Sequence, residues 1–172
     1  MATAQIKLRL DVNFGDPVTP EPRLVELPAL RPGADSVRVL GYPLETVLAE
    51  KLVTAIELGP ANARVRDFAD RHTLIGAHQV TCGPVRAALT AAAAFRQVEL
   101  RPLAAAASGL GSLRASAYAA YRRTLGEADA TLPDSLQDVI DTDASFVDPV
   151  FGSLDDAALW DPNHRTWNNP IA

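Results

Sequence analysis

Residues 6–14 alternate without a fault, with Ile6, Leu8, Leu10, Val12 and Phe14 apolar and Lys7, Arg9, Asp11 and Asn13 polar. That two-residue period predicts a strand with one buried face and Asp11 on its open face. Gly15-Asp16-Pro17 ends it in a turn. Two further extended stretches, 24–27 and 37–40, are expected to pair with it, giving a small sheet over about residues 5–41. From Pro43 onward the period becomes helical. In residues 42–59, Leu44, Val47, Leu48, Leu52, Ala55, Ile56 and Leu58 fill one arc, and Thr46, Glu50, Thr54 and Glu57 fill the opposite one. Pro43 suits the first helical position and Gly59 the position just past the end. Further helices are predicted at about 66–75, 85–96, 113–125 and 135–140, each bounded by Gly or Pro. The tail, 154–172, reads as an irregular arm that packs Trp160 and Trp167 onto the body. The fold class is α+β, a small sheet followed by a helical region.

Lys51 breaks the pattern, because it falls inside the apolar arc of the first helix. A cation aimed inward either snorkels out along its methylene stem, as a rim residue, or meets an anion as part of a site. The next segment holds Arg64, Arg66 and Arg71 with Asp67 and Asp70, after the Gly59 stop signal. A turn there brings Asp67 and the guanidinium groups near Lys51.

Composition narrows the classes. The chain of 172 residues is 48% apolar and 22% charged, ordinary for a globular protein, with no apolar run long enough to span a bilayer. The first residues lack the basic region of a signal peptide, so a cytoplasmic location is expected. One cysteine, Cys82, excludes an internal disulfide and reads as a buried or half-buried filler. The net charge of −5 argues against a broadly basic nucleic-acid surface, though not against a local phosphate site. Of 16 basic residues only Lys7 and Lys51 are lysine, a bias that weakens any argument from arginine alone.

Three blocks carry a resemblance. Residues 6–20, then Tyr42-Pro43-Leu44-Glu45-Thr46-Val47-Leu48-Ala49-Glu50-Lys51, then Leu58-Gly59 with Asn62-Ala63-Arg64-Val65-Arg66-Asp67-Phe68-Ala69-Asp70 resemble, in order and spacing, the AbiEii/AbiGii toxin family of nucleotidyltransferases. The later part is similar to that family's helical C-terminal region. The resemblance implies a nucleotidyltransferase-like core over 1–76 with a helical region, 77–172, packed on it. It implies a toxin of a toxin–antitoxin or abortive-infection system that transfers a nucleotidyl group from a nucleoside triphosphate, with Mg²⁺, to an acceptor such as tRNA, and that has a cognate antitoxin protein. By position Asp11 would be a carboxylate of the metal site pointing toward Lys51, Lys51 would meet the triphosphate, and Asp67 would be the acidic catalytic residue after it. Arg64 and Arg66 would add cations for the nucleotide.

Departures matter as much. The family's opening Gly-Ser followed by Asp-x-Asp is absent before Asp11, and the usual Asp-Phe-Tyr-Asp is Asp67-Phe68-Ala69-Asp70. Mg²⁺ aligns and neutralises phosphate oxygens through carboxylates, so Asp11 alone would hold it loosely. The expected chain is a C-terminal portion, truncated and inactive until the missing motif is supplied. The alternative is a catalytically dead nucleotide- or partner-binding remnant.

Other features read as ordinary. Gly111-Ser112 lies too far from Asp141-Thr142-Asp143 to replace the missing motif. His72, His78 and His164 lack metal-ligand spacing and read as surface or capping residues. Asp134, Asp138, Asp141, Asp143 and Asp148 read as a solvated face, and Tyr118 and Tyr121 as core.

Overall fold

The structure is a computed structural model that describes Lys7, Gly15, residues 17–126 and residues 131–169. The strand expected over 6–14, and Asp11 with it, lies outside the described residues. The two extended stretches after it form strands β1 (Arg23–Leu27) and β2 (Val37–Gly41), and they pair with each other in antiparallel register, Arg23 opposite Gly41 and Leu27 opposite Val37. Leu24, Leu27, Val37 and Leu40 on this hairpin are exposed.

Helix α1 (Leu44–Leu58) begins at Pro43 and stops at Gly59, whose N–H closes back on the Ala55 carbonyl. Gly59 sits at φ +50°, and a Cβ there would come within 3.0 Å of the Ala106 carbonyl oxygen, so both conformation and close approach require glycine. The expected polar arc of α1 needs correction: Thr46 and Thr54 are buried. Each hydroxyl finds a carbonyl, Thr46 donating to Thr19 O, 27 residues away, at 2.8 Å and Thr54 to Glu50 O, one turn back, at 2.8 Å, so threonine enters the interior without an unmet donor. The helix is consequently the centre of the molecule, with Leu48, Leu52, Val53 and Ile56 all fully buried.

Around it stand α2 (Val65–Ala77), α3 (Cys82–Arg96), α4 (Leu103–Ala106), α5 (Leu110–Leu113), α6 (Ala115–Arg123) and α7 (Leu136–Val147). α1 packs chiefly on α3, and α2 on α7. The helix expected over 113–125 is divided between α5 and α6, and the one expected over 135–140 runs on to Val147. Ser135 caps α7, its side chain accepting from Gln137 N at 3.0 Å, and Val139, Ile140, Phe146 and Val147 carry the buried face through the full length. Cys82 and Tyr118 are buried as expected, with Tyr121 packed against the core.

The tail is more regular than its sequence suggests. Strands β3 (Leu159–Asp161) and β4 (Thr166–Asn168) form a hairpin pairing Trp160 with Trp167. Trp160 is fully buried and donates from Nε1 to Ile75 O at 2.7 Å, while Trp167 donates to Phe146 O at 2.8 Å. The Phe146 ring lies 5.0 Å from Trp160 and 5.3 Å from Trp167. The indoles do pack on the body, clamping α2 to α7. Among the described residues no helix is long and apolar enough to cross a membrane.

Candidate functional site

The three-residue turn Gly59–Ala61 reverses the chain after α1, so α2 returns beside it and presents Asp67 and Asp70 to the flank that carries Lys51. Lys51 Nζ lies 2.7 Å from Asp67 Oδ1 and 3.0 Å from Asp70 Oδ2. Arg64 Nε lies 2.5 Å from the other oxygen of Asp67, and Arg66 Nε is 3.9 Å from Asp70. The cluster is a chain of alternating charge, Arg64, Asp67, Lys51, Asp70 and Arg66, with three cations and two carboxylates. Lys51 is therefore the inward lysine that meets anions, and its side chain keeps 23% of its surface open.

That open part lines a cleft of roughly 230 Å³ shared by Val47, Glu50, Lys51, Thr54, Arg64, Asp67 and Arg96. Of the expected nucleotide-binding residues, Lys51 and Arg64 line it together with Asp67. Arg66 does not; its side chain is 77% exposed and reaches toward Asp70. Arg96, unremarked in the sequence, arrives from the last turn of α3 and donates to Thr54 Oγ1 at 3.0 Å. Its one sequence signal was a basic side chain in the last turn of a helix, which the helix dipole alone favours.

Three cations, Lys51, Arg64 and Arg96, line the cleft with two carboxylates, Glu50 and Asp67. An ammonium carries three N–H donors, and Asp67 and Asp70 occupy two of those of Lys51. The guanidinium groups of Arg64 and Arg96 present planar forks that match phosphate oxygens. A divalent cation is a different matter. Asp67 gives one oxygen to Lys51 and the other to Arg64, and among the described residues no three His, Cys, Asp or Glu side chains converge. These residues do not fit Mg²⁺; the expected metal ligand, Asp11, lies outside the described residues.

Beneath the cleft lies a second ion pair, sealed from solvent. Arg71 and Asp143 are each only 1% exposed, with Nη2 of Arg71 2.8 Å and Nε 2.9 Å from Asp143 Oδ2. Asp143 was expected on a solvated face; instead it points from α7 into the core. Asp148 departs from that face as well, accepting from Leu103 N at 2.6 Å and Ala104 N at 3.2 Å at the start of α4. Burial pushes the Asp143 carboxyl up to about 6, against the opposing pull of Arg71. His72, expected at the surface, is buried as well, and burial with the nearby Arg165 charge holds its imidazole down at about 4.

A family model described as nucleotidyl transferase AbiEii toxin, type IV toxin–antitoxin system, matches residues 1–146, a span that takes in the Lys51 cluster and all but the last residue of α7. No curated protein and no solved structure matches the chain.

Proposed function

The chain belongs to the AbiEii family of nucleotidyltransferase toxins of type IV toxin–antitoxin systems, and from that premise we propose that its Lys51 cleft receives the triphosphate of a nucleoside triphosphate. The nucleotidyl group is passed to an acceptor such as tRNA, which places the reaction in the cytoplasm. One observation carries this reading: Lys51, Arg64 and Arg96 converge on a single cleft beside Asp67. A triphosphate entering there exchanges the Asp70 contact of Lys51 for a phosphate oxygen, while Asp67 keeps the ammonium aligned. Phosphoryl-group chemistry depends on such fixed positive charge, which stabilises the negative charge gathered on the departing pyrophosphate. Mg²⁺ belongs to the same reading through Asp11, and no step is assigned to it. A cognate antitoxin is the counterpart that the family implies.

A second reading, a remnant that binds the nucleotide without transferring it, is favoured by the double occupation of the Asp67 carboxylate by Lys51 and Arg64. Incubating the chain with tRNA, Mg²⁺ and nucleoside triphosphates labelled at the α-phosphate separates the two. Transfer that disappears in Lys51→Ala supports the enzyme. Retention of nucleotide with no labelled tRNA supports the remnant, and transfer unaffected by the substitution removes Lys51 from the site.

A further inference from the structure

One face of α2 grips Lys51 at both ends. Asp67 and Asp70 hold the ammonium, and one turn beyond Asp67 the side chain of Arg71 reaches the same residue from behind, Nη1 donating to the Lys51 carbonyl oxygen at 3.1 Å. Two nitrogens of the guanidinium make hydrogen bonds, Nε to Asp143 and Nη1 to the Lys51 carbonyl, while Nη2 faces Asp143 as an ion pair without a hydrogen bond of its own. Asp143 takes the Nε edge, and the plane sits 4.1 Å above the centre of the Phe68 ring. The chain of contacts runs from α7 through Arg71 to the backbone of α1 at the residue whose head lines the cleft.

A buried ion pair is seldom what keeps a fold stable. Taking both charges out of water costs about as much as their attraction returns, and apolar side chains of similar volume often serve at least as well. What an apolar side chain cannot do is donate a hydrogen bond to the Lys51 carbonyl. Resting on the reading of the cleft given above, we propose that Arg71, held in place by Asp143, is a positioning residue. It sets the turn of α1 that carries Lys51, so that the ammonium meets the phosphate at a fixed depth.

The test replaces the pair by apolar side chains, Arg71→Met with Asp143→Leu, in the full chain. Two readouts are taken beside the thermal midpoint. The first is calorimetric affinity for ATP, CTP, GTP and UTP. The second is the ammonium signal of Lys51 in nitrogen-15-labelled protein, which is easily assigned because the chain has only two lysines and Lys7→Arg removes the other. The expected result is a midpoint kept or raised, a loss of triphosphate affinity of about tenfold, and loss of the slowly exchanging Lys51 signal. Restoring Asp143 with Arg71→Lys, which returns a cation and donor, should recover part of the affinity. Affinity and signal like those of the unmodified chain would overturn the proposal, as would a midpoint loss alone. If the double variant does not fold, Asp143→Asn, which keeps the shape and weakens the anchor, is read in the same two ways. If the unmodified chain binds no triphosphate, the reading of the cleft fails, yet the Lys51 signal still decides the positioning role. Absence of a protected Lys51 signal in the unmodified chain also overturns that role.

Discussion

Two ion clusters sit one helical turn apart on α2 and share the same chemistry, yet they do different work. The Lys51, Asp67 and Asp70 group opens onto a cleft, with Arg64 62% exposed at its rim, whereas Arg71 and Asp143 are sealed at 1%. Water makes the difference. Where solvent reaches, each ion pair is weak and exchangeable, so a ligand anion can take a carboxylate's place. Where it does not, losing one partner strands a charge in a medium that cannot solvate it. A cation is available to a ligand in proportion to how easily its present partner can be replaced.

The largest expected effect breaks the sealed side of that comparison. Arg71→Ala leaves Asp143 buried without its counter-ion and should cost about 3–5 kcal/mol in urea unfolding; a loss below about 1 kcal/mol would mean the pair is far wetter than its geometry.

The next effect is a pair of opposed pH slopes. Asp143 keeps its proton in the folded chain up to about 6, but in the unfolded chain only to about 3.8. The folded state binds the extra proton between those values, so this group's contribution to stability falls as pH rises through that window. His72 does the reverse. Folded it loses its proton at about 4 and unfolded at about 6.5, so its contribution rises with pH over that range. Relative to the unmodified chain, Asp143→Asn should gain stability as pH rises from about 4 to 6, and His72→Gln should lose it, each by at most about 1.4 kcal/mol per pH unit. Denaturant midpoints at several pH values measure both, and parallel slopes for the two variants would refute the assignment.

The smallest effect lies on the open side. Arg66→Ala removes a 3.9 Å contact at an exposed rim and should change stability by less than about 1 kcal/mol. Triphosphate affinity should fall less with this change than with Arg64→Ala, since only Arg64 of the two lines the cleft.

Local features were legible in the sequence and distant ones were not. Lys51 stood out because a single helix wheel suffices to place it, and Asp67 and Asp70 follow it around one short turn. Arg96 and Asp143 reach the region across separations of 42 and 72 residues, from α3 and α7, and no periodicity encodes which distant helix packs where. Thr54 misled because its hydroxyl bonds the carbonyl one turn back and so behaves as an interior residue, and Thr46 because its partner, Thr19, lies 27 residues away. The tail hairpin escaped because strands of three residues are too short for an alternation to register. His72 escaped because one histidine on a helix carries no sign of what will cover it. The family resemblance over residues 5–75 held, and the matched span extends through the helices to residue 146.

The central claim is that Lys51 binds phosphate, and the direct measurement is calorimetry of ATP, CTP, GTP and UTP against the unmodified chain and Lys51→Ala. Arg64 still neutralises Asp67 in the variant, so the fold should survive with its thermal midpoint nearly unchanged. Removing one charged contact to phosphate should weaken binding about ten- to a hundredfold for whichever nucleotide binds best. Equal affinities for the two proteins, or no binding by the unmodified chain, would contradict the account, as would a variant that loses stability and keeps its affinity.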